Sequence, residues 1–182
     1  MARTPVVGVL ALQGDFEAHG AVLRALGAHV REVRERGHLD GVEALVLPGG
    51  ESTTMTLGIE REGLREPLVE LCGRVPVLGT CAGMIMLDRD HLGVVDMRCE
   101  RNAFGRQVHS FEGDVRVSGF DEPFHGVFIR APWVADHGPG VEVLGAVDGH
   151  VVAIAAGRVL AVAFHPELIG ERRLHVRMLA LL

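Results

Sequence analysis

Along the first half of this chain, strand-length apolar runs alternate with helix-length segments, and no other feature limits the possible folds as strongly. Val6 to Leu12 reads as a buried strand. Asp15 stands as an N-cap ahead of a helix reaching about Gly27, with His19, Val22, Leu23 and Leu26 spaced along one helical face. His29 to Val33 and Ala44 to Leu47 read as further strands, the second running into Pro48-Gly49-Gly50. Ser52 opens a helical segment to about Arg61, Glu66 to Cys72 begins another, and Val75 to Gly79 is the next strand. Alternation at these lengths implies a mostly parallel central sheet with helices on both faces, an α/β architecture.

The second half changes character. Asp114 to Val117, Gly126 to Arg130, Val141 to Val147 and His150 to Ala156 are short strand candidates divided by turn residues. Asp148-Gly149 between the last two is a strong hairpin signal. Antiparallel strands at the sheet edge are the expected result, and Arg172 to Leu182 reads as a closing helix. No repeat or linker divides the chain, so residues 1–182 are expected to form one domain.

The strand before Cys81 ends in Gly79-Thr-Cys-Ala-Gly83, and Met84-Ile-Met-Leu87 then continues as a helix. This is a nucleophile elbow with cysteine at its apex: a sharp strand-to-helix turn that exposes a side chain above the sheet. Glycine supplies 24 of 182 residues, so such flanking arises by chance around one of three cysteines in about 5% of cases. The strand-then-helix context narrows the reading, and a helix N-terminus favours thiolate over thiol. Cys72 and Cys99 have no such surroundings and read as inert buried thiols.

Net charge is −6 and no block of like charge occurs, which argues against a nucleic-acid-binding face. Apolar runs such as Val151 to Ala156 are far below a membrane span. Met1-Ala-Arg-Thr-Pro5 leads straight into the first strand without a signal-peptide pattern. Three cysteines cannot all pair, and Cys81 must be reduced to act, so a cytoplasmic location is expected. The ten histidines are scattered without metal-ligand spacing, so no metal site and no cofactor is expected. Lysine is absent, which excludes Schiff-base chemistry from a lysine of this chain.

Ligands of open parallel sheets bind beyond the carboxyl ends of the strands. Pro48-Gly-Gly-Glu-Ser52, the Cys81 elbow and His165-Pro-Glu167 each follow a strand-like run, so their ends converge on one edge. Pro166 biases His165 toward extended backbone, where His165 and Glu167 share a face; Glu167 then orients an imidazole that faces Cys81. Gly50 and the Ala82 N–H are candidate oxyanion donors. The order Cys, His, Glu differs from that of α/β-hydrolases. A cysteine hydrolase or peptidase of similar fold, or a non-catalytic module, remains a rival on these residues alone.

Taken together, Pro48-Gly-Gly-Glu-Ser-Thr53, Gly79-Thr-Cys-Ala-Gly83 and Phe164-His-Pro-Glu167 resemble the signature of class I, triad-type glutamine amidotransferases. Leu12-Gln-Gly14, Arg101-Asn-Ala-Phe-Gly-Arg-Gln107, Ser110-Phe-Glu112 and Phe128-Ile-Arg-Ala-Pro132 are similar, more narrowly, to the glutaminase subunits of pyridoxal 5′-phosphate synthase. The likeness spans Val6 to about His175. It implies a flavodoxin-like fold and hydrolysis of L-glutamine through Cys81, His165 and Glu167. Gly49, Gly50, Glu51, Arg101, Ile129 and Arg130 would line the glutamine pocket. Ammonia would pass to a separate synthase barrel that builds pyridoxal 5′-phosphate from ribose 5-phosphate and glyceraldehyde 3-phosphate. Gln13 is a candidate contact with that partner or a plain loop residue. The segment from Leu87 to His91 is several residues shorter than the family pattern, a departure expected to bear on contacts near the pocket.

Overall fold

The computed structural model describes residues 4–102 and 110–182. Its elements run β1 (Val6–Leu10), α1 (Phe16–Ala25), β2 (His29–Val33), β3 (Ala44–Leu47), α2 (Ser52–Arg61), α3 (Arg65–Cys72), β4 (Val77–Thr80) and α4 (Ala82–Met86). The second half adds β5 (Met97–Glu100), β6 (Ser110–Val115), β7 (Phe124–Ile129), β8 (Trp133–His137), β9 (Glu142–Val147), β10 (His150–Ala156), β11 (Val159–Val162) and α5 (Arg173–Leu179). Short 3-10 turns cover Arg36–Leu39 and Pro166–Ile169.

Five strands lie parallel in the order β2-β1-β3-β4-β11. This is the 2-1-3-4-5 order of flavodoxin-like proteins. The chain leaves β1 toward β2 but leaves β3 toward β4. Right-handed crossovers in opposite directions put their helices on opposite faces. Every residue of β3, β4 and β11 is buried, as expected of strands covered on both sides. No helix among the described residues is long and apolar enough to cross a membrane.

Antiparallel pairing takes over beyond β11, where β10, β8 and β5 extend the sheet and β9 pairs with β10. The expected hairpin joins β9 to β10, with Asp148 at φ 50 and Gly149 at φ 80, as a two-residue turn of matching twist requires. Several expectations need correction. β5 and β8 were not anticipated: both are short, and charged residues such as Arg98, Glu100 and Asp136 interrupt their apolar pattern. β6 begins at Ser110 rather than Asp114, and it pairs with β7 in a separate two-stranded sheet instead of joining the main edge. The final helix stops at Leu179, with Ala180 as its C-cap.

An aromatic cluster fixes the small sheet over the large one. Phe111 stacks on Phe128 with ring centroids 4.4 Å apart, and Phe128 and Phe124 both pack on Phe164. The His165 N–H donates to Val127 O at 2.9 Å. β7 is thereby pinned to the segment that carries His165.

Candidate active site

Cys81 occupies the turn between β4 and α4 with φ 47 and ψ −108. A non-glycine residue at positive φ is strained, and such residues gather at functional sites. The turn is held by Cys81 N–H donating to Val162 O at 2.8 Å. Its flanking glycines serve another purpose: neither is at positive φ. A Cβ on Gly83 would lie 1.8 Å from Leu47 O, and one on Gly79 would lie 2.9 Å from Gly83 O. The glycines allow α4 to press against β3 and β4, and the strain falls on the cysteine.

His165 follows β11 and lines the same cavity as Cys81, whose sulfur acts on its ring. Its Nδ1 lies 2.7 Å from Glu167 Oε1, and since an ionised carboxylate only accepts, Nδ1 carries the proton. The geometry producing this pair is not the extended chain that the sequence suggests. His165 is extended-like at φ −108 and ψ 86, but Pro166–Ile169 forms a 3-10 turn that folds Glu167 back toward the ring. Burial works against a charge on His165, yet the bonds to Cys81 and Glu167 raise its pKa from 6.5 to about 10. Burial raises Glu167 above its ordinary value, and the imidazole opposes that shift. The other two thiols differ: burial pushes Cys72 up to about 12 and also raises Cys99, as inert thiols require.

A cavity of about 340 Å³ opens beside Cys81. Gly50, Glu51, Ala82, Arg101, Ile129 and Arg130 all line it, together with Gln13, Asp15 and His165. Gly49 does not line it; this residue packs behind the histidine, where a Cβ would meet His165 Cε1 at 2.2 Å. Glu167 is likewise buried behind the ring. Glu51 caps α2, accepting from Thr53 N–H at 3.0 Å and Thr54 N–H at 2.8 Å. These bonds hold its carboxyl down at about 2, so Glu51 is a fixed negative charge at the rim. Arg101 Nη1 donates to Ser52 Oγ and Thr53 Oγ1. Arg130, at φ 44, follows β7 in a strained backbone position and lines the cavity. Cys81 Sγ lies 3.8 Å from Ile129 O. The rest of the Arg101–Gln107 motif, residues 103–107, lies outside the described residues.

Gln13 supports the Gly-Gly loop directly, its side-chain oxygen accepting from Glu51 N–H at 2.7 Å. The short Leu87–His91 segment sits apart from the cavity lining. Buried Asp88 holds it together by accepting from the N–H groups of Asp90, His91 and Cys99.

Two features were missed in the sequence. Asp15 makes no side-chain cap bond to α1; its Oδ2 lies 3.3 Å from His165 Nδ1 instead. Beside Glu167, fully buried His19 reaches Thr80 Oγ1 at 3.0 Å, His175 Nε2 at 2.9 Å and Glu167 Oε2 at 3.3 Å. Burial lowers His19 well below 6.5 and His175 to about 4, so both rest neutral near pH 7. The available signal was a histidine on the apolar face of α1. Asp15, His165 and Glu167 also bring three possible ligand atoms within 4.8 Å of one another, but both carboxylates are turned on one ring nitrogen, which accounts for the cluster without an ion.

A cysteine in a strained strand-to-helix turn, facing a histidine–glutamate pair at the carboxyl edge of a flavodoxin-like sheet, is the arrangement that the resemblance to class I glutamine amidotransferases implies. Residues 9–180 match the SNO glutamine amidotransferase family, and the chain belongs to it. It is 52% identical to pyridoxal 5′-phosphate synthase subunit PdxT of Mycolicibacterium vanbaalenii, across 94% of each chain. It is also 52% identical to the protein of that name from Salinispora arenicola, across 94% of this chain and 93% of the relative. A crystal structure of a glutamine amidotransferase, 46% identical, matches with a TM-score of 0.90 over 96% of this chain and 97% of its own.

Proposed function

We propose that this chain is a single-domain glutaminase that supplies ammonia to a pyridoxal 5′-phosphate synthase barrel. The observation that carries the reading is the strained Cys81 elbow beside a His165 held protonated. A protonated imidazole next to a cysteine is the setting in which a thiolate persists. Cys81 Sγ attacks the side-chain amide carbon of L-glutamine, and N–H groups of Gly50 and Ala82 hold the resulting oxyanion. His165 gives its proton to the departing nitrogen, releasing ammonia and leaving a glutamyl thioester. The neutral ring then takes a proton from water, whose oxygen attacks the thioester. Glutamate departs and the thiolate is regenerated. Glu167 fixes the imidazole through Nδ1, as its burial and 2.7 Å contact support. At the rim, Glu51 offers a charge to the substrate α-ammonium, Arg101 and Arg130 offer charges to its α-carboxylate, and Ile129 borders its aliphatic stem.

The names of the relatives support the synthase as partner, and the site adds a reason: ammonia made here needs a consumer. A reducing cytoplasm suits a site that depends on a free thiol. The test is co-purification with the synthase subunit, followed by glutamate release from L-glutamine by the complex. Stable association with glutamine-dependent glutamate formation is expected. A complex that forms no glutamate, or peptide hydrolysis in its place, would overturn the assignment.

A further inference from the structure

An aspartate at a helix N-cap normally turns its carboxylate back onto the first turn, and losing that bond costs about 1 kcal/mol. Asp15 sits at the N-cap of α1 and makes no such bond. Its position is nevertheless tightly set. Asp15 N–H donates to Gly49 O at 3.0 Å. The preceding Gly14, at φ 94, packs so closely that a Cβ would lie 1.8 Å from the same oxygen. That backbone presents the carboxylate to the active-site ring, with Oδ2 3.3 Å from His165 Nδ1. Glu167 Oε1 already holds this nitrogen at 2.7 Å. One N–H therefore faces two carboxylates, one dry and one 38% exposed at the cavity wall.

We infer that Asp15 is a second carboxylate partner of the His165 imidazole: a positioning residue that shares the Nδ1 proton with Glu167 and takes it over when Glu167 is neutralised. This rests on the glutaminase reading. The other charged or titratable groups facing the pair are Cys81 across the ring, His19 against the far oxygen of Glu167, and Glu51, Arg101 and Arg130 at the rim. Each carboxylate favours the imidazolium, so removing either lowers the His165 pKa. Together they make His165 tolerant of losing one partner.

The test measures kcat and KM for glutamine in the complex with the synthase subunit, for wild type, Asp15→Asn, Glu167→Gln and the double variant. Asp15→Asn should lower kcat about 3-fold with KM unchanged, Glu167→Gln about 30-fold, and the double variant about 10³-fold, well beyond the product of the two. An equal factor for Asp15→Asn in both backgrounds would overturn the proposal. So would a rise in KM with kcat unchanged, the mark of an acid that merely binds the substrate ammonium. Imidazole nitrogen NMR of the free chain tests the pairing without any assay, with the His165 signal identified from its loss in His165→Asn. Its titration should move to lower pH in Asp15→Asn, and an unmoved titration would remove the pairing. A wild-type complex that releases no glutamate defeats the glutaminase reading but leaves this NMR result to decide the Asp15–His165 contact.

Discussion

The two arms of the site are built on different principles. The nucleophile arm is locked by packing: Cys81 is 5% exposed, and Gly83 leaves no room for even a methyl group against Leu47 O. Close-packed interiors resist displacement, so Cys81 has one position. The facing Gly49-Gly50 arm is also closely packed, against Gly14 and the His165 ring, but the orientation of its peptides is held through the 13–15 loop by two hydrogen bonds, Asp15 N–H to Gly49 O and Glu51 N–H to Gln13 Oε1. Each contributes about 1 kcal/mol net, within reach of what a docking contact supplies. On the proposed mechanism, the attacking atom is fixed and the support for the oxyanion is adjustable.

The largest effects are expected on the locked arm. Cys81→Ala should lose glutamine hydrolysis altogether while keeping the fold and binding of the synthase subunit, measured by glutamate release and co-purification. Cys72→Ala and Cys99→Ala are the controls, because buried Cys72 and half-buried Cys99 both lie outside the cavity lining. Hydrolysis by Cys81→Ala near the wild-type rate would end the nucleophile assignment. His165→Asn should come close to the same loss, because it removes both base and acid. Glu167→Gln should retain more, since it removes a partner of the ring and not the proton carrier. The reverse ranking would contradict those roles.

The adjustable arm should respond to the partner. Turning the 49–50 peptide requires giving up the single Asp15 N–H to Gly49 O bond, because Gly49 O and Gly50 N–H belong to one rigid peptide unit. A missing oxyanion donor lowers turnover by about 10²–10³-fold. The chain alone should therefore be slower by about that factor than the chain with saturating synthase subunit. Equal initial rates would show both arms already set, and the contrast between them would vanish.

Two glycine substitutions sharpen the same comparison. Gly83→Ala forces a methyl group into backbone at 1.8 Å, so it should destabilise by more than about 3 kcal/mol. Gly50→Ala meets the Gln13 side-chain oxygen at 2.2 Å, an end that can swing aside, but φ 156 still strains a residue with a Cβ. It should therefore lose about 1–3 kcal/mol of stability, less than Gly83→Ala, and lower kcat about 10-fold. Chemical denaturation alongside kinetics separates the two. A Gly83→Ala protein as stable as wild type would show the elbow to be less tightly packed than its geometry says.

The parallel half was legible because its signals are local and repeated. Buried runs such as Ala44–Leu47 and Val77–Thr80, each closed by turn residues, could be read without knowing their neighbours. The edge strands β5 and β8 were not, because their pairing depends on partners across the sheet rather than on their own pattern. At the site, the Cys81 and His165 segments stood out through their punctuation by glycine and proline. What stayed hidden was tertiary. Asp15 reads as a cap by its position and acts as a ring contact only because Gly49 fixes its backbone. His19 fits the apolar face of α1 so well that nothing local announces Thr80, His175 or Glu167 as its neighbours.

The smallest expected effect falls on Gln13, the side chain bracing the adjustable arm. Gln13→Ala removes the acceptor for Glu51 N–H, leaving that half-exposed donor to water. Because water replaces much of the lost bond, stability should fall by no more than about 1 kcal/mol. The peptide next to the oxyanion donor would then sample more orientations, and only a fraction would place Gly50 N–H correctly. A drop to about one third of the wild-type kcat in the saturated complex follows if that fraction is near one third, and KM should stay within about 2-fold because Glu51 keeps its cap on α2. Gln13→Glu adds a discriminating measurement, since it keeps an acceptor and should recover most of the rate. An unchanged kcat in Gln13→Ala would mean that the docked partner alone sets the arm. A weaker complex with normal kcat at saturation would make Gln13 an interface residue and nothing more.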